Sequence, residues 1–262
     1  MKNGWAARCA FAFGIGAAPL CFGADGEFSA GAGVNYSTGK YGTSTQTKIL
    51  SIPFSARYET ELWSFKLTVP YLRVTSPANV IPGVGRFDSS GRPRRRAAGT
   101  TSESGLGDTV ASATYNAYYD AATERGLDLT GRVKLPTAEA EKGLGTGSTD
   151  ESVQLDVYQA FDRLTLFADV GYTFFGHSDF VRLDNAFNAG IGASNKVSAT
   201  DSVGASLDAR QRVTPDGAPQ RELSVFWNHR TDSATRMQAY VLVGLAKGSP
   251  DRGLGLSLLR AF

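Results

Sequence analysis

Charged side chains set into runs where every second residue is apolar are the feature of this sequence best suited to chemistry. Arg57, Lys66, Asp128, Arg132, Lys134, Asp156, Asp169, Asp208 and Arg210 all lie in such runs. On extended chain, successive side chains point to opposite faces, so each charge shares a face with its polar neighbours and opposes an apolar one. Both signs are present. A surface lined by them would be hydrated and crossed by a transverse electric field, as suits a wet lumen. The same charges could instead pair off and fill the interior. The sequence leaves these two readings, channel and plug, open.

Other constellations are weaker. The two histidines are His177 and His229. His177-Ser178-Asp179 has the residue types of a nucleophilic relay, but adjacent residues on extended chain point apart and cannot form one by adjacency alone. Two separated histidines are too few for a histidine-rich metal site. The glycine clusters Gly105-Leu106-Gly107 and Gly143-Leu144-Gly145-Thr146-Gly147 lack the following Lys-Ser/Thr of a phosphate loop and read as turns. Arg92, Arg94, Arg95 and Arg96 form a basic patch in a long loop. Guanidinium forks suit phosphate, so this patch is an expected contact for the phosphate-rich lipopolysaccharide of an outer leaflet, set against the plainer reading of a solvated charged loop. No catalytic, metal or cofactor site is expected.

What positions the charges is a set of strands. Trp63, Phe65, Leu67, Val69 and Tyr71 share one face, and Ser64, Lys66 and Thr68 the other. The same period of two recurs over Leu127–Leu135, Val153–Tyr158, Leu164–Phe174 and Val203–Arg210. Charges on one face of so many strands would be ruinous in a sandwich core but suit a barrel whose apolar face meets lipid. Turn signals divide the chain into twelve strands, over 27–36, 47–58, 63–76, 108–119, 126–135, 152–161, 164–175, 185–196, 202–212, 222–230, 235–247 and 253–262. Long connectors (37–46, 77–107, 136–151, 176–184) alternate with short ones (59–62, 162–163, 231–234), as in outer-membrane barrels with short periplasmic turns. In hydrocarbon every backbone N–H and C=O needs a partner, so the sheet must close. The expected fold is all-β, a transmembrane antiparallel up-and-down barrel of about twelve strands. Aromatics near strand ends, Tyr58, Trp63, Tyr71, Tyr172, Phe174, Trp227 and Tyr240, are expected in the interface girdles.

The first 23 residues read as a cleaved signal peptide: basic Lys2 and Arg8, a short apolar core, then small residues up to Gly23. Residues 24–262 are the expected barrel domain. Both cysteines, Cys9 and Cys21, fall in the leader, so the mature chain carries no disulfide or thiol. Lys2 and Arg8 are also its only charges. Without them the 27 basic residues fall to 25, equal to the 25 acidic ones, a balance that argues for no nucleic-acid partner. Terminal Phe262 fits the aromatic residue through which barrel-assembly machinery recognises its clients.

Ser37-Thr38-Gly39-Lys40-Tyr41-Gly42, Val69-Pro70-Tyr71-Leu72, Ser104-Gly105-Leu106-Gly107-Asp108, Lys134-Leu135-Pro136-Thr137, Gly143–Gly147 and Gly248-Ser249-Pro250-Asp251 resemble the recurring blocks of an outer-membrane family named for the meta-cleavage pathway of phenol degradation. The resemblance covers nearly all of the mature chain. It implies a barrel in the outer membrane that passes small-molecule solutes, aromatic or poorly water-soluble ones included, and it transfers no individual functional residue.

Overall fold

The structure is a computed structural model that describes residues 26–76, 80–86, 101–215 and 217–262. The expected leader and the basic patch of Arg92, Arg94, Arg95 and Arg96 lie outside the described residues. The strands are β1 (Glu27–Gly39), β2 (Thr47–Glu59), β3 (Trp63–Ser76), β4 (Val80–Ile81), β5 (Gly85–Arg86), β6 (Thr101–Leu106), β7 (Thr109–Asp120), β8 (Arg125–Leu135), β9 (Asp150–Phe161), β10 (Leu164–Phe174), β11 (Ala186–Lys196), β12 (Asp201–Arg210), β13 (Gln220–Arg230), β14 (Thr235–Gly244) and β15 (Arg252–Ala261). A short 3-10 turn covers Ala140–Lys142.

The sheet closes on itself. β1 pairs with β2 on one side and with β15 on the other, running from Ser29 opposite Ala261 to Thr38 opposite Arg252. Each later strand pairs antiparallel with its neighbour, so twelve staves make the wall. Closure leaves no open edge, as a hydrocarbon setting requires. The alternation in sequence becomes an inside and an outside. In β3, Trp63, Phe65, Leu67 and Tyr71 are exposed outward, while Ser64, Leu72, Val74 and Ser76 are buried within. Phe54, Val153, Ile191, Val225, Val241 and Leu256 continue the outer apolar surface around the barrel. Such a belt would be an aggregation surface in water and is at home in lipid.

The strand assignments hold with one informative exception. The segment 77–107 reads from sequence as an outer loop, yet Thr101–Leu106 near its end form β6, paired with Tyr71–Ser76 of β3. Lower down, β3 pairs instead with β7, from Trp63 opposite Tyr115 to Thr68 opposite Val110. β6 and β7 are therefore one stave broken at Gly107-Asp108. The break has a local cause. Pro70 offers no N–H to the ladder, and Gly107 N donates to Pro70 O at 2.8 Å to bridge the gap.

At the long-loop end, connectors fold over the mouth. Inward Ile49, Leu72 and Val74 pack with Tyr41, Val80 and Leu144 from three loops, and the β4–β5 hairpin sets Ile81 against Val181 of the β10–β11 loop. The short-turn end is tight. Asp162, in the two-residue connection from β9 to β10, takes φ 55°, the left-handed conformation that such hairpins favour.

Candidate functional site

The barrel's inner wall is the candidate site, and strand register organises it. On one side, Arg57 stands opposite Lys66, Lys66 opposite Ser112, and Ser112 opposite Arg132, a basic row across β2, β3, β7 and β8. On the other, Asp128 stands opposite Asp156 and Asp156 opposite Asp169. Both Asp169 and Asp208 face Gly190, and Asp208 faces Glu222. This acidic row spans β8 to β13. The two rows overlap on β8, where Asp128 and Arg132 lie on the same inner face.

Several members are held by specific contacts. Arg57 and Glu59 form a buried ion pair at 3.3 Å. Arg132 donates to Gln154 Oε1 at 3.1 Å, and Gln154 Nε2 donates to Asp156 Oδ1 at 2.6 Å. Ser206 Oγ donates to Asp208 Oδ2 at 2.9 Å. Asp169 and Asp208 lean together over Gly190, where an added Cβ would lie 2.2 Å from Asp169 Oδ2 and 2.9 Å from Asp208 Oδ1. A methyl there would require both carboxyls to move aside. Arg210 is half-buried one inward step beyond Asp208, opposite Asn188 and Gln220.

Lys134 sits apart from both rows. Its Nζ bridges Asp108 Oδ2 at 2.9 Å and Asp150 Oδ2 at 2.8 Å and also donates to Thr146 Oγ1. Asp108 in turn accepts from Ala138 N at 3.1 Å, and Asp150 from Gly176 N at 3.1 Å. Lys134 therefore ties the β6–β7 break to two of the long loops. Tyr41, beneath the same cap, has its phenol pushed up to about 12 by burial.

Sequence reasoning passed over part of this wall. Glu59, Ser112, Gln154 and Glu222 face inward beside the expected charges. So do aromatics: Phe167 and Phe226 lie 6.5 Å apart, their rings over Gly192 and Gly204 of the two strands between them. The alternation of β10 places Phe167 in phase with Thr165 and Asp169, a signal its apolar character masks. Tyr240, expected in a girdle, turns inward over Gly255 and donates to Asn35 Oδ1 at 3.1 Å. The girdle itself holds Trp63, 4.9 Å from Tyr115, and Tyr172 against Phe174 and Phe187.

The histidines make no relay. His177 and Asp179 are 3.8 Å apart on the surface, while Ser178 between them is buried and donates to Thr146 O. His229 Nδ1 lies 2.9 Å from Asp201 Oδ1 at the short-turn end. The hydroxyls there, Ser198 and Thr200, both donate to Asp201 Oδ2.

The family model described as "Putative MetA-pathway of phenol degradation" matches residues 24–226. The chain belongs to that family. As a member of the phenol-degradation family, it has the fold of known barrels. The KdgM porin superposes with a TM-score of 0.51 at 9% identity, covering 89% of this chain and 99% of that one. The CymD monoaromatic hydrocarbon channel is similar with a TM-score of 0.47 at 11% identity, covering 90% and 88%. The Ralstonia pickettii toluene transporter TbuX gives 0.47 at 13%, covering 92% and 90%. None of the curated proteins matches this family member. At that identity the KdgM superposition speaks to fold alone.

Proposed function

We propose that this protein is an outer-membrane channel for small molecules, with the inner wall as its selective element. The observation that carries the reading is the pair of opposed rows, Arg57-Lys66-Arg132 facing Asp128-Asp156-Asp169-Asp208. An excess of one sign on each side of a wall orients a dipolar solute and discriminates between ions. A purely structural interior would gain little from segregating them, since like charges opposite each other on neighbouring strands destabilise. The apolar cap at one end and the inward Phe167–Phe226 pair offer surfaces on which an aromatic or poorly soluble molecule can lie. That substrate class is also the one in the names of the aromatic-hydrocarbon channels above. Outer-membrane lipid on the belt, assembly machinery at Phe262 and a cleaved leader complete the reading.

A second reading, a plugged barrel whose outer loops do the binding, is favoured by one observation. Asp128 is fully buried and Arg57 and Asp156 nearly so, so the middle of the interior is packed rather than open. Single-channel conductance of the folded protein in planar bilayers decides between them. Steady steps whose ion selectivity changes in Lys66→Met or Asp169→Asn support the channel. Silence in a demonstrably folded barrel supports the plug.

A further inference from the structure

The outer face carries a basic row that neither the lumen nor the cap uses. It lies at the long-loop end, on the strands beside the β1–β15 seam. Register sets Arg252 of β15 opposite Thr38 of β1, Thr38 opposite Lys48 of β2, Lys48 opposite Thr75 of β3, and Thr75 opposite Ser102 of β6. Neighbouring strands are about 4.8 Å apart, so the backbones that carry Arg252 and Lys48 are separated by roughly 10 Å. Arg73 stands one outward step below Thr75, between Leu72 and Val74, which turn into the cap. All three cations are exposed.

The row has no counter-charge of its own. Among the described residues none of the three cations has a carboxylate partner. The strands β1, β2, β3, β6 and β15 turn no Asp or Glu outward at this end. Arg73 is also held in place: its Nε donates to Ser102 Oγ at 3.2 Å, and Ser102 Oγ lies 3.1 Å from Thr75 Oγ1. Nor is the whole rim basic. The outward residues at the long-loop ends of β8 to β11, across the barrel, are Leu135, Glu151, Phe174 and Phe187. One outward step below the row, Leu254 and Tyr71 begin the apolar belt. A molecule that meets both levels has an apolar body beside the belt and an anionic head at the row, which is the build of a lipid. Guanidinium forks match phosphate oxygens in pairs, and the separation of Arg252 from Lys48 suits a head with more than one phosphate.

We propose that this row binds the phosphates of one lipid A, the bisphosphorylated anchor of lipopolysaccharide, with its acyl chains along the belt beside β15 to β3. The site rests on the outer-membrane part of the reading above and needs no conductance.

Native mass spectrometry tests it, on barrel refolded in detergent and mixed with bisphosphoryl lipid A, monophosphoryl lipid A or phosphatidylglycerol. The expected result is one bisphosphoryl lipid A held per barrel, and about fivefold less of either other lipid. Lys48→Gln, Arg73→Gln and Arg252→Gln together should lower lipid A retention about tenfold, in protein shown to be folded by the faster gel migration of the unheated barrel. Arg252→Gln alone should lower it at least twofold, which keeps the test open if the triple variant does not fold. Arg163→Gln, an exposed cation in the short β9–β10 turn, should change nothing. Equal retention of the three lipids, or folded row variants that hold lipid A as the wild type does, overturns the site. A conducting barrel whose lipid retention ignores the row sinks this proposal alone; a silent barrel that holds lipid A through the row sinks only the channel.

Discussion

Arg57 on β2 and Lys66 on β3 stand directly opposite each other in the wall, two like charges in one cross-strand pair. Such a pair works against the sheet by about 0.2–1 kcal/mol relative to a neutral one. Lys66→Met should therefore raise the unfolding free energy, read from urea titration, by an amount in that range. In the same variant the reversal potential in a salt gradient should move toward cation preference. A lower midpoint with unchanged selectivity would mean that Lys66 serves the fold and not the solute.

Removing Lys134 should cost far more. Its ammonium is the shared partner of Asp108 and Asp150, which would be left as facing carboxylates with little water. Breaking a buried ion pair by removing one member typically costs about 3–5 kcal/mol, with the lower end apt here because Lys134 is partly exposed. Lys134→Ala should also free the 136–149 loop, seen as new protease cleavage there in folded protein.

Gly190→Ala places a methyl where Asp169 and Asp208 now lean. Overpacking of this kind costs about 1–3 kcal/mol. The carboxyls must part, so cation selectivity should fall along with the unfolding midpoint. Ala189→Gly, on the outer face of the same strand, serves as the comparison that leaves selectivity in place.

Tyr41 gives the outer cap a pH limit. Burial raises its phenol from the ordinary value near 10 to about 12. Its contribution to stability is thus complete below pH 10 and lost as pH rises through 12. Absorbance at 295 nm should show a late-titrating tyrosine component in the folded protein that is smaller by one tyrosine in Tyr41→Phe, and the fall in thermal stability across that window should shrink in the variant.

Nearly every stave was legible because a barrel wall writes its two sides into the chain with period two. β6 was not, since Ser102 and Ser104 occupy its outward positions. It stands beyond the apolar belt, where the lipid side no longer needs apolar residues, so the period lost its contrast. The charged residues were legible one at a time. Their grouping was not, because which residue faces which is set by hydrogen-bonded register between strands and leaves no mark in one sequence. For the same reason nothing local ties His229 to Asp201, 28 residues away, or Gln238 to Asn228 on the neighbouring strand. Phe167 and Phe226 were obscured because apolar residues on the inner face look like lapses in the pattern.

The pairing of β1 with β15 fixes when the molecule can exist at all. Ser29 and Ala261, at opposite ends of the described chain, are neighbours in the wall. Until residues 252–261 have been made, delivered and zipped against β1, the growing sheet has two raw edges, each a template for the wrong partner. Contacts of such long sequence separation form slowly. Assembly is therefore a race between the last seam and aggregation, and a chain shortened by a single stave should be cleared by quality-control proteases rather than accumulate as a smaller barrel.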